Sequence, residues 1–268
     1  MAVKDRSMNS LHIDPEHLEQ FIEKITEFGL SRLSAYPWRL EKDPYRIFVA
    51  EVLLQRTRTQ QVVPVYENFI KKFPTIQSLA NATDDEIMQV IKPLGLAYRA
   101  KRLKKVASIL VERYGGKFPE EFNELLKLPG VGNYIAGVLV CFAFDKRFPV
   151  LDSNVRRVLN RVFGIVFPAD AHKRSGTLQM LEKFFPSQRV REFVIGLLDL
   201  GITVCLPKNP RCGLCPLKNI CRTYNSSHQR ELSQHQFLDC PSQLHRENRG
   251  NRIRNHLVFG SYWDASGE

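Results

Sequence analysis

Four cysteines near the carboxyl end are spaced so that their thiolates could bind one metal centre. They are Cys205, Cys212, Cys215 and Cys221. The spacing C-x6-C-x2-C-x5-C, stiffened by three prolines, suits a compact loop around a [4Fe–4S] cube. A four-thiolate zinc site is the alternative, but structural zinc sites usually have two C-x2-C pairs and only one is present here. The spacing therefore predicts a metal centre and favours an iron–sulfur cluster over zinc.

A glycine-rich connector at residues 128–132 could bind phosphate. Its sequence, Leu-Pro-Gly-Val-Gly, lies between two helical patterns. Glycines at 130 and 132 permit positive φ and would expose the backbone N–H groups around Gly130, Val131 and Gly132 at the start of the next helix. An ordinary helix–helix connector is the alternative interpretation. From these five residues alone, a phosphate-binding hairpin and a plain connector are equally consistent with the sequence.

An acidic residue begins the helical pattern that follows. Asp152 lies in Val-Leu-Asp-Ser-Asn-Val-Arg-Arg at residues 150–157. Aspartate at this point commonly caps a helix. A capping carboxylate at the mouth of a cleft is also held rigid and ionised, which suits stabilisation of a developing positive charge. The two roles are compatible.

The elements that must position these residues are helices. Apolar residues recur at three- and four-residue steps, and no strand alternation is visible, so the sequence predicts an all-α protein. Residues 222–268 are polar with little periodicity, and we expect this tail to be disordered. The predicted helical runs are 15–28, 44–55, 60–72, 84–92, 99–113, 121–127, 133–143, 153–163, 174–185 and 190–200.

Composition limits the function classes. The chain has 268 residues and a net charge of +11, which lies mainly outside the tail and favours a polyanionic partner. No signal peptide or membrane span is evident, so we expect a protein inside the cell, cytoplasmic or nuclear and not secreted. We also expect a monomer. Cys141 and Cys240 are interpreted as structural or incidental thiols.

Taken in order, the motifs resemble the endonuclease III branch of helix-hairpin-helix DNA glycosylases. Besides the connector, the Asp152 segment and the cysteine loop, the likeness includes Tyr-Pro-Trp-Arg at 36–39, Asp-Pro-Tyr at 43–45 and Glu-Val-Leu-Leu-Gln-Arg-Thr at 51–57. It covers residues from about 30 to 221. The resemblance implies two helical lobes, with a six-helix barrel at 43–150 and a cluster lobe formed by 1–42 and 151–221.

The resemblance also implies a reaction. Such enzymes bind double-stranded DNA that contains a mismatched or damaged base, flip the nucleotide out and cut its N-glycosidic bond. Asp152 matches their catalytic aspartate, which stabilises an oxocarbenium-like transition state. Glu51 matches the carboxylate that serves the leaving base in adenine-excising relatives, although a plain ion pair with an arginine is the alternative.

Tyr134, in Gly-Val-Gly-Asn-Tyr, marks the substrate class within this resemblance. Bifunctional relatives carry a lysine there, which forms a Schiff base with the sugar. Adenine glycosylases usually have serine there, whereas thymine/uracil mismatch glycosylases have tyrosine. We therefore expect a monofunctional glycosylase with little or no β-lyase activity, acting on thymine or uracil opposite guanine. A packing role for this ring is the alternative.

Other features favour different substrates. The segments around Gly95 to Tyr98 and around Asp152 are closer to the adenine enzymes, so adenine excision opposite guanine or 8-oxoguanine is one alternative. The large carboxyl-terminal domain typical of those enzymes is not evident. A non-catalytic lesion binder is another alternative. Gln55 and Tyr98, with Arg56 beside them, are expected to face the gap left by a flipped base.

Overall fold

The computed structural model describes residues 13–95, 97–165, 167 and 175–226, and this part of the chain is helical with no strand. The all-α prediction is confirmed. No helix among these residues has the length and apolarity needed to cross a membrane. The helices are α1 Pro15–Leu30, α2 Pro44–Leu54, α3 Thr59–Lys72, α4 Ile76–Asn81, α5 Asp84–Ile91, α6 Tyr98–Tyr114, α7 Phe122–Leu125, α8 Asn133–Phe142, α9 Ser153–Phe163, α10 Ser175–Glu182 and α11 Val190–Thr203.

Local signals in the sequence set the helix ends. The side chains of Asp14, Asp43 and Asp152 each accept a backbone N–H of the first turn in α1, α2 and α9. Thr83 begins α5 with a reciprocal capping box. Gly115 ends α6 in the left-handed region, at φ 61°, where a side chain would be strained.

The helical runs predicted from periodicity differ from the observed helices at several ends, and α11 continues to Thr203 instead of ending at 200. The 121–127 run forms only one turn, at Phe122–Leu125, and the 174–185 run ends at Glu182. The six-residue helix α4 was not predicted, because it is too short to show a helical period. Its capping box at Thr75 was the signal available.

Close packing joins the two ends of the described chain. α1 lies against α11, and α11 also contacts α8 and α9. The α1–α11 approach depends on two glycines, since a Cβ at Gly29 would lie 1.8 Å from the Glu192 carbonyl oxygen and one at Gly196 would lie 2.1 Å from that of Ile25. The amino-terminal helix therefore packs with elements late in the sequence.

The middle of the chain surrounds α2 and α8. Both helices are apolar on nearly every side and bury most of their residues, and α2 contacts α3, α6 and α8. A helix that is apolar all round must lie in the core. One charged side chain on α2, that of Glu51, is buried with this core. The lobe boundaries at 43–150 and 151–221 remain predictions, and most of the 222–268 tail lies outside the described residues.

Candidate active site and cluster site

Glu51 is a buried carboxyl group with one aromatic partner. Its side chain lies on α2, the residue is 8% exposed, and its carboxyl group is hydrogen-bonded to the Tyr134 hydroxyl. Burial raises the pKa of Glu51 to about 7, and nearby Asp152 adds to the rise, while the Tyr134 hydrogen bond and the Arg39 charge oppose it. At neutral pH this carboxyl group is therefore poised between its protonated and ionised forms.

Tyr134 is the partner of Glu51 in this hydrogen bond. It is the second residue of α8, it is only partly buried, and it packs against the core. Burial and the neighbouring carboxylates of Glu51 and Asp152 raise the pKa of Tyr134 well above its ordinary value. The phenol therefore stays protonated and acts as a hydrogen-bond donor.

Asp152 lies at the amino end of α9 with both carboxylate oxygens paired. Oδ1 accepts the Val155 N–H at 2.7 Å, and Oδ2 accepts the Asn154 side-chain amide at 2.9 Å. Burial raises the pKa of Asp152, whereas these bonds and the Arg157 charge lower it. The carboxylate is thus fixed in direction at a helix N-terminus, and its charge helps to raise the pKa of both Glu51 and Tyr134.

A salt bridge between Arg39 and Asp199 lies close enough to Glu51 and Tyr134 to affect their pKa values. Arg39 donates to Asp199 at 2.5 Å, with both side chains largely buried, and Arg39 also lies 4.6 Å from the ring centroid of Tyr36. The Pro-Trp-Arg segment could be recognised in the sequence, but Asp199, the partner of Arg39 160 residues away, could not. An acidic residue inside the apolar pattern of α11 was the available signal.

Hydrogen bonds connect Asp152 to the cysteine loop. Asn154, which donates to Asp152, accepts from Arg157 at 2.8 Å. Arg157 also donates to the carbonyl oxygens of Cys205 at 2.8 Å and of Gly201 at 2.7 Å. The direction of the Asp152 carboxylate therefore depends on an arginine that is anchored to the loop.

The loop after α2 carries Gln55 and Arg56. Buried Arg99 of α6 holds it, donating to the Leu53 carbonyl at 2.9 Å, to the Gln55 carbonyl and to the Thr57 hydroxyl at 2.8 Å. Arg56 is exposed and has a positive φ of 56°, so the backbone turns sharply there. Hydrogen bonds from Arg99 therefore fix the position of this loop.

Tyr98 and the hairpin lie at the same surface. Tyr98 is 43% exposed, and the guanidinium of Arg102 lies 5.3 Å from its ring centroid. A Cβ at Gly130 would come within 2.2 Å of Arg102 Nε, so the side chain of Arg102 lies against the hairpin glycine. The structure thus brings Gln55, Tyr98 and Gly130 together through Arg102, and their contact with DNA remains a prediction.

The hairpin differs in one detail from the prediction. Gly130 has a positive φ of 77°, but Gly132 has φ −89° and serves as the N-cap of α8 with extended backbone. Both glycines are exposed, whereas the Val131 side chain is 4% exposed and packs in the core. Only the first glycine is needed for its dihedral angle; the second leaves the helix N-terminus open.

The four cysteines line one cavity of about 170 Å³. Arg161 forms part of its wall and donates to Cys205 Sγ at 3.4 Å and to the Leu206 carbonyl at 2.6 Å. Burial raises the pKa of Cys215 to about 11, and the other three thiols add to the rise through mutual repulsion. Four cysteine sulfurs around one cavity fit a cationic group that would hold them as thiolates.

Among the described residues, no group of three or more His, Cys, Asp or Glu side chains is already arranged to hold a metal ion. The four cysteine sulfurs line one shared space. A tetrahedral zinc ion requires four sulfurs at about 2.3 Å from one point, whereas an iron–sulfur cube separates them.

Two family descriptions match this chain. Residues 49–185 match "HhH-GPD superfamily base excision DNA repair protein", and residues 205–221 match "Iron-sulfur binding domain of endonuclease III". The second match indicates that the cysteine loop holds an iron–sulfur cluster.

Curated proteins of two specificities are similar to the chain. It is 37% identical to an adenine DNA glycosylase of Buchnera aphidicola subsp. Schizaphis graminum over 70% of this chain and 54% of that protein, so it spans about half the length of that relative. It is 40% identical to a thymine-DNA glycosylase of Aeropyrum pernix over 71% of this chain and 87% of that one.

The fold is also similar to a solved structure. A thermostable thymine-DNA glycosylase superposes with a TM-score of 0.71 at 31% identity, covering 79% of this chain and 98% of that one. The predicted helix-hairpin-helix glycosylase fold is therefore confirmed.

Proposed function

We propose that this chain, which belongs to the HhH-GPD superfamily of base excision DNA repair proteins, is a monofunctional DNA glycosylase that excises thymine or uracil mispaired with guanine. Its partner is double-stranded DNA, bound by the hairpin and by the surface around Gln55, Arg56 and Tyr98. The cofactor is a [4Fe–4S] cluster held by the four loop cysteines.

The hydrogen bond between Glu51 and Tyr134, beside Asp152, carries this proposal. It joins a carboxyl group with a pKa of about 7 to a neutral phenol, and the charge of the fixed Asp152 carboxylate helps to raise the pKa of both. Glycosidic cleavage needs negative charge near the sugar and a proton or donor near the leaving base. A tyrosine at this position, rather than lysine, removes the amine that a Schiff base requires.

In the proposed mechanism Asp152 stabilises the oxocarbenium character of the flipped sugar. The amide of Asn154 and the N–H of Val155 hold its two oxygens, so the carboxylate does not need to reorganise as charge develops. Protonated Glu51 donates to the departing base, and Tyr134 holds Glu51 in place. Water then completes the hydrolysis and leaves an abasic site.

The cluster has a supporting part in this proposal. When bound, it would fix the loop by four iron–thiolate bonds and take no part in cutting the glycosidic bond. Arg157 and Arg161 anchor the loop to α9, the helix that Asp152 begins. The loop also carries Lys208, Arg211 and Lys218, which can contact phosphates.

The test is a panel of end-labelled duplexes with one T·G, U·G, A·G or A·8-oxoG pair, incubated with the cluster-loaded protein and run with and without alkali. Strand cleavage of T·G and U·G only after alkali is expected, since a monofunctional enzyme leaves the backbone intact. Cleavage without alkali, or trapping of the enzyme on DNA by borohydride, would contradict the monofunctional assignment. The Asp152→Asn variant is the negative control.

Adenine excision is the second candidate. The 37% identity to an adenine DNA glycosylase favours it, and Glu51 would then protonate adenine as it leaves. Alkali-dependent cleavage of A·G or A·8-oxoG, with T·G intact, would replace the first proposal by this one.

A further inference from the structure

Arg191 binds three backbone carbonyl oxygens from two separate segments of the chain. Its Nη1 donates to the carbonyl oxygen of Arg39 at 3.0 Å and to that of Glu41 at 2.6 Å, and its Nη2 donates to the carbonyl oxygen of Phe142. The guanidinium also lies 5.4 Å from the Phe142 ring centroid. Arg191 is the second residue of α11 and is partly buried. One side chain of α11 thus joins two segments that are far apart in the sequence.

These two segments adjoin the helices that carry Glu51 and Tyr134. Arg39 and Glu41 lie just before α2, and Phe142 is the last residue of α8. A carbonyl oxygen in the last turn of a helix has no N–H partner within that helix, so a cationic donor there satisfies it and stabilises the helix end. The guanidinium therefore holds the approach to α2 and the end of α8 at one point.

The same helix supports the rest of the site. Asp199, about two turns further along α11, binds the Arg39 side chain at 2.5 Å, so α11 holds both the main chain and the side chain of Arg39. α11 also packs against α9, which Asp152 begins as its N-cap. A single helix therefore lies against the supports of both the Glu51–Tyr134 pair and Asp152.

We propose that Arg191 is a positioning residue that keeps the Glu51–Tyr134 pair in its buried place relative to Asp152. This inference rests on the proposed function, because it assigns these three side chains to excision. We expect Arg191 to touch neither the flipped nucleotide nor the phosphates, since its N–H groups already serve carbonyl oxygens of the protein.

An arginine suits this task better than other side chains. A guanidinium has five N–H donors in a fixed planar fork and stays charged, so it can serve three carbonyl oxygens at once. An ammonium group has three donors on one nitrogen, and a thioether has none. Without Arg191 the three carbonyl oxygens lose this donor, and the approach to α2 is no longer tied to the end of α8. Water then reaches Glu51, whose raised pKa depends mainly on burial.

The pH dependence of excision tests this. Single-turnover rates are measured from pH 5.5 to 8.5 on the mispair that the wild-type protein cuts. We expect Arg191→Met to lower the rate at pH 7 about tenfold. The midpoint of the profile should move down by about one pH unit, because a less buried Glu51 releases its proton more easily. The groups that face Glu51, those of Arg39, Tyr134 and Asp152, all remain in this variant.

Graded variants and a matched control separate positioning from loss of fold. Arg191→Lys keeps a cation with donors alone and should restore part of the rate and of the midpoint. Arg191→Gln keeps two donors without the charge, and it replaces Arg191→Met if that protein does not fold. Arg147→Met removes an exposed arginine that donates to the Glu182 carbonyl, which belongs to neither segment bound by Arg191, and should leave rate and midpoint unchanged. Thermal melts and iron content confirm that each variant is folded and loaded.

Binding to DNA is measured separately from the rate. A duplex with a tetrahydrofuran abasic analogue has no base to excise, so it reports affinity alone. Arg191→Met should bind this duplex nearly as tightly as the wild-type protein does. A loss of affinity that accounts for the loss of rate would show instead that Arg191 acts on DNA.

A further readout does not depend on catalysis. Glu51→Gln is expected to stabilise the protein at pH 8, where the wild-type carboxyl group is ionised in spite of its burial. In the Arg191→Met background this gain should be smaller, by about 1.4 kcal/mol for a midpoint that is one pH unit lower. Denaturant unfolding at pH 8 of the wild type, the two single variants and the double variant measures it.

The outcomes separate this inference from the proposed function. If the enzyme cuts A·G instead of T·G, the function proposal fails, yet the pH midpoint on A·G and the unfolding measurement still test Arg191. If T·G is cut but Arg191→Met keeps the wild-type midpoint and the wild-type gain from Glu51→Gln, the Arg191 inference is wrong. A lower rate with an unchanged midpoint would likewise overturn it, because a general loss of stability explains that result.

Discussion

At the scale of single residues, some groups of the site could be recognised from the sequence and others could not. Asp152 and the four cysteines have local signals, a helix start and a fixed spacing, so they could be predicted. The Arg39–Asp199 pair joins residues 160 positions apart, and no local pattern connects them. Long-range polar contacts depend on the completed fold, which is why this pair was missed.

Glu51 predicts a rate that depends on pH. If protonated Glu51 donates to the leaving base, single-turnover excision should fall as pH rises through about 7, the pKa to which burial raises this group. Glu51→Gln should remove most activity and this pH dependence together. Measurement from pH 5.5 to 8.5 checks it, and a rate that rises through pH 7 would indicate that the ionised form is the active one.

The same burial predicts that Glu51 lowers stability at high pH. Because its folded pKa is raised, the unfolded chain binds fewer protons between pH 4.5 and about 7, and the free energy of unfolding falls across that window. Glu51→Gln avoids this cost and should be more stable than wild type at pH 8, by up to about 3 kcal/mol. Below pH 4.5 the difference should largely vanish. Denaturant unfolding of wild type and Glu51→Gln at pH 4.5 and at pH 8 measures this difference in the free energy of unfolding. An equal difference at the two pH values would contradict the prediction.

At the scale of elements, periodicity predicted most of the helices and missed the shortest one. α4 depends on packing against α6 more than on its own six residues. The sequence also did not show which helices pack together. α1 packs on α11 because Gly29 and Gly196 permit close approach, and nothing in either segment alone indicates its partner.

α9 carries a prediction because it connects the cysteine loop to the carboxylate of Asp152. Arg157→Met removes the group that holds Asn154 and should lower the excision rate about tenfold, since the Asp152 carboxylate loses its fixed direction. Arg161→Met breaks the bonds to Leu206 and Pro207 without touching Asn154, and should reduce cluster retention more than the rate. Iron content and single-turnover rates of both variants separate the two effects; identical behaviour of the two would mean that the loop acts as one unit.

At the scale of the whole molecule, the charge of +11 would attract a nucleic acid of any sequence. Lysines that are already paired with carboxylates are less available to bind phosphate. Lys104 pairs with Asp84 at 3.6 Å and Lys146 with Glu120 at 3.1 Å, whereas Lys101 and Lys105 are exposed on α6. Composition predicted the polyanionic partner, but only the fold shows which charges face solvent beside the Gln55 loop.

Salt dependence should therefore separate these lysines. Each phosphate contact contributes about 0.9 to the slope of log affinity against log salt, so Lys105→Met should reduce the slope by about one if its side chain binds a phosphate. Lys146→Met removes a charge that Glu120 and Glu121 already neutralise, and should leave the slope unchanged. Binding is measured in the Asp152→Asn background, which keeps the substrate intact, between about 50 and 200 mM salt. Equal reductions for both variants would show that the net charge, rather than the α6 surface, governs binding, because only a local contact distinguishes the two lysines.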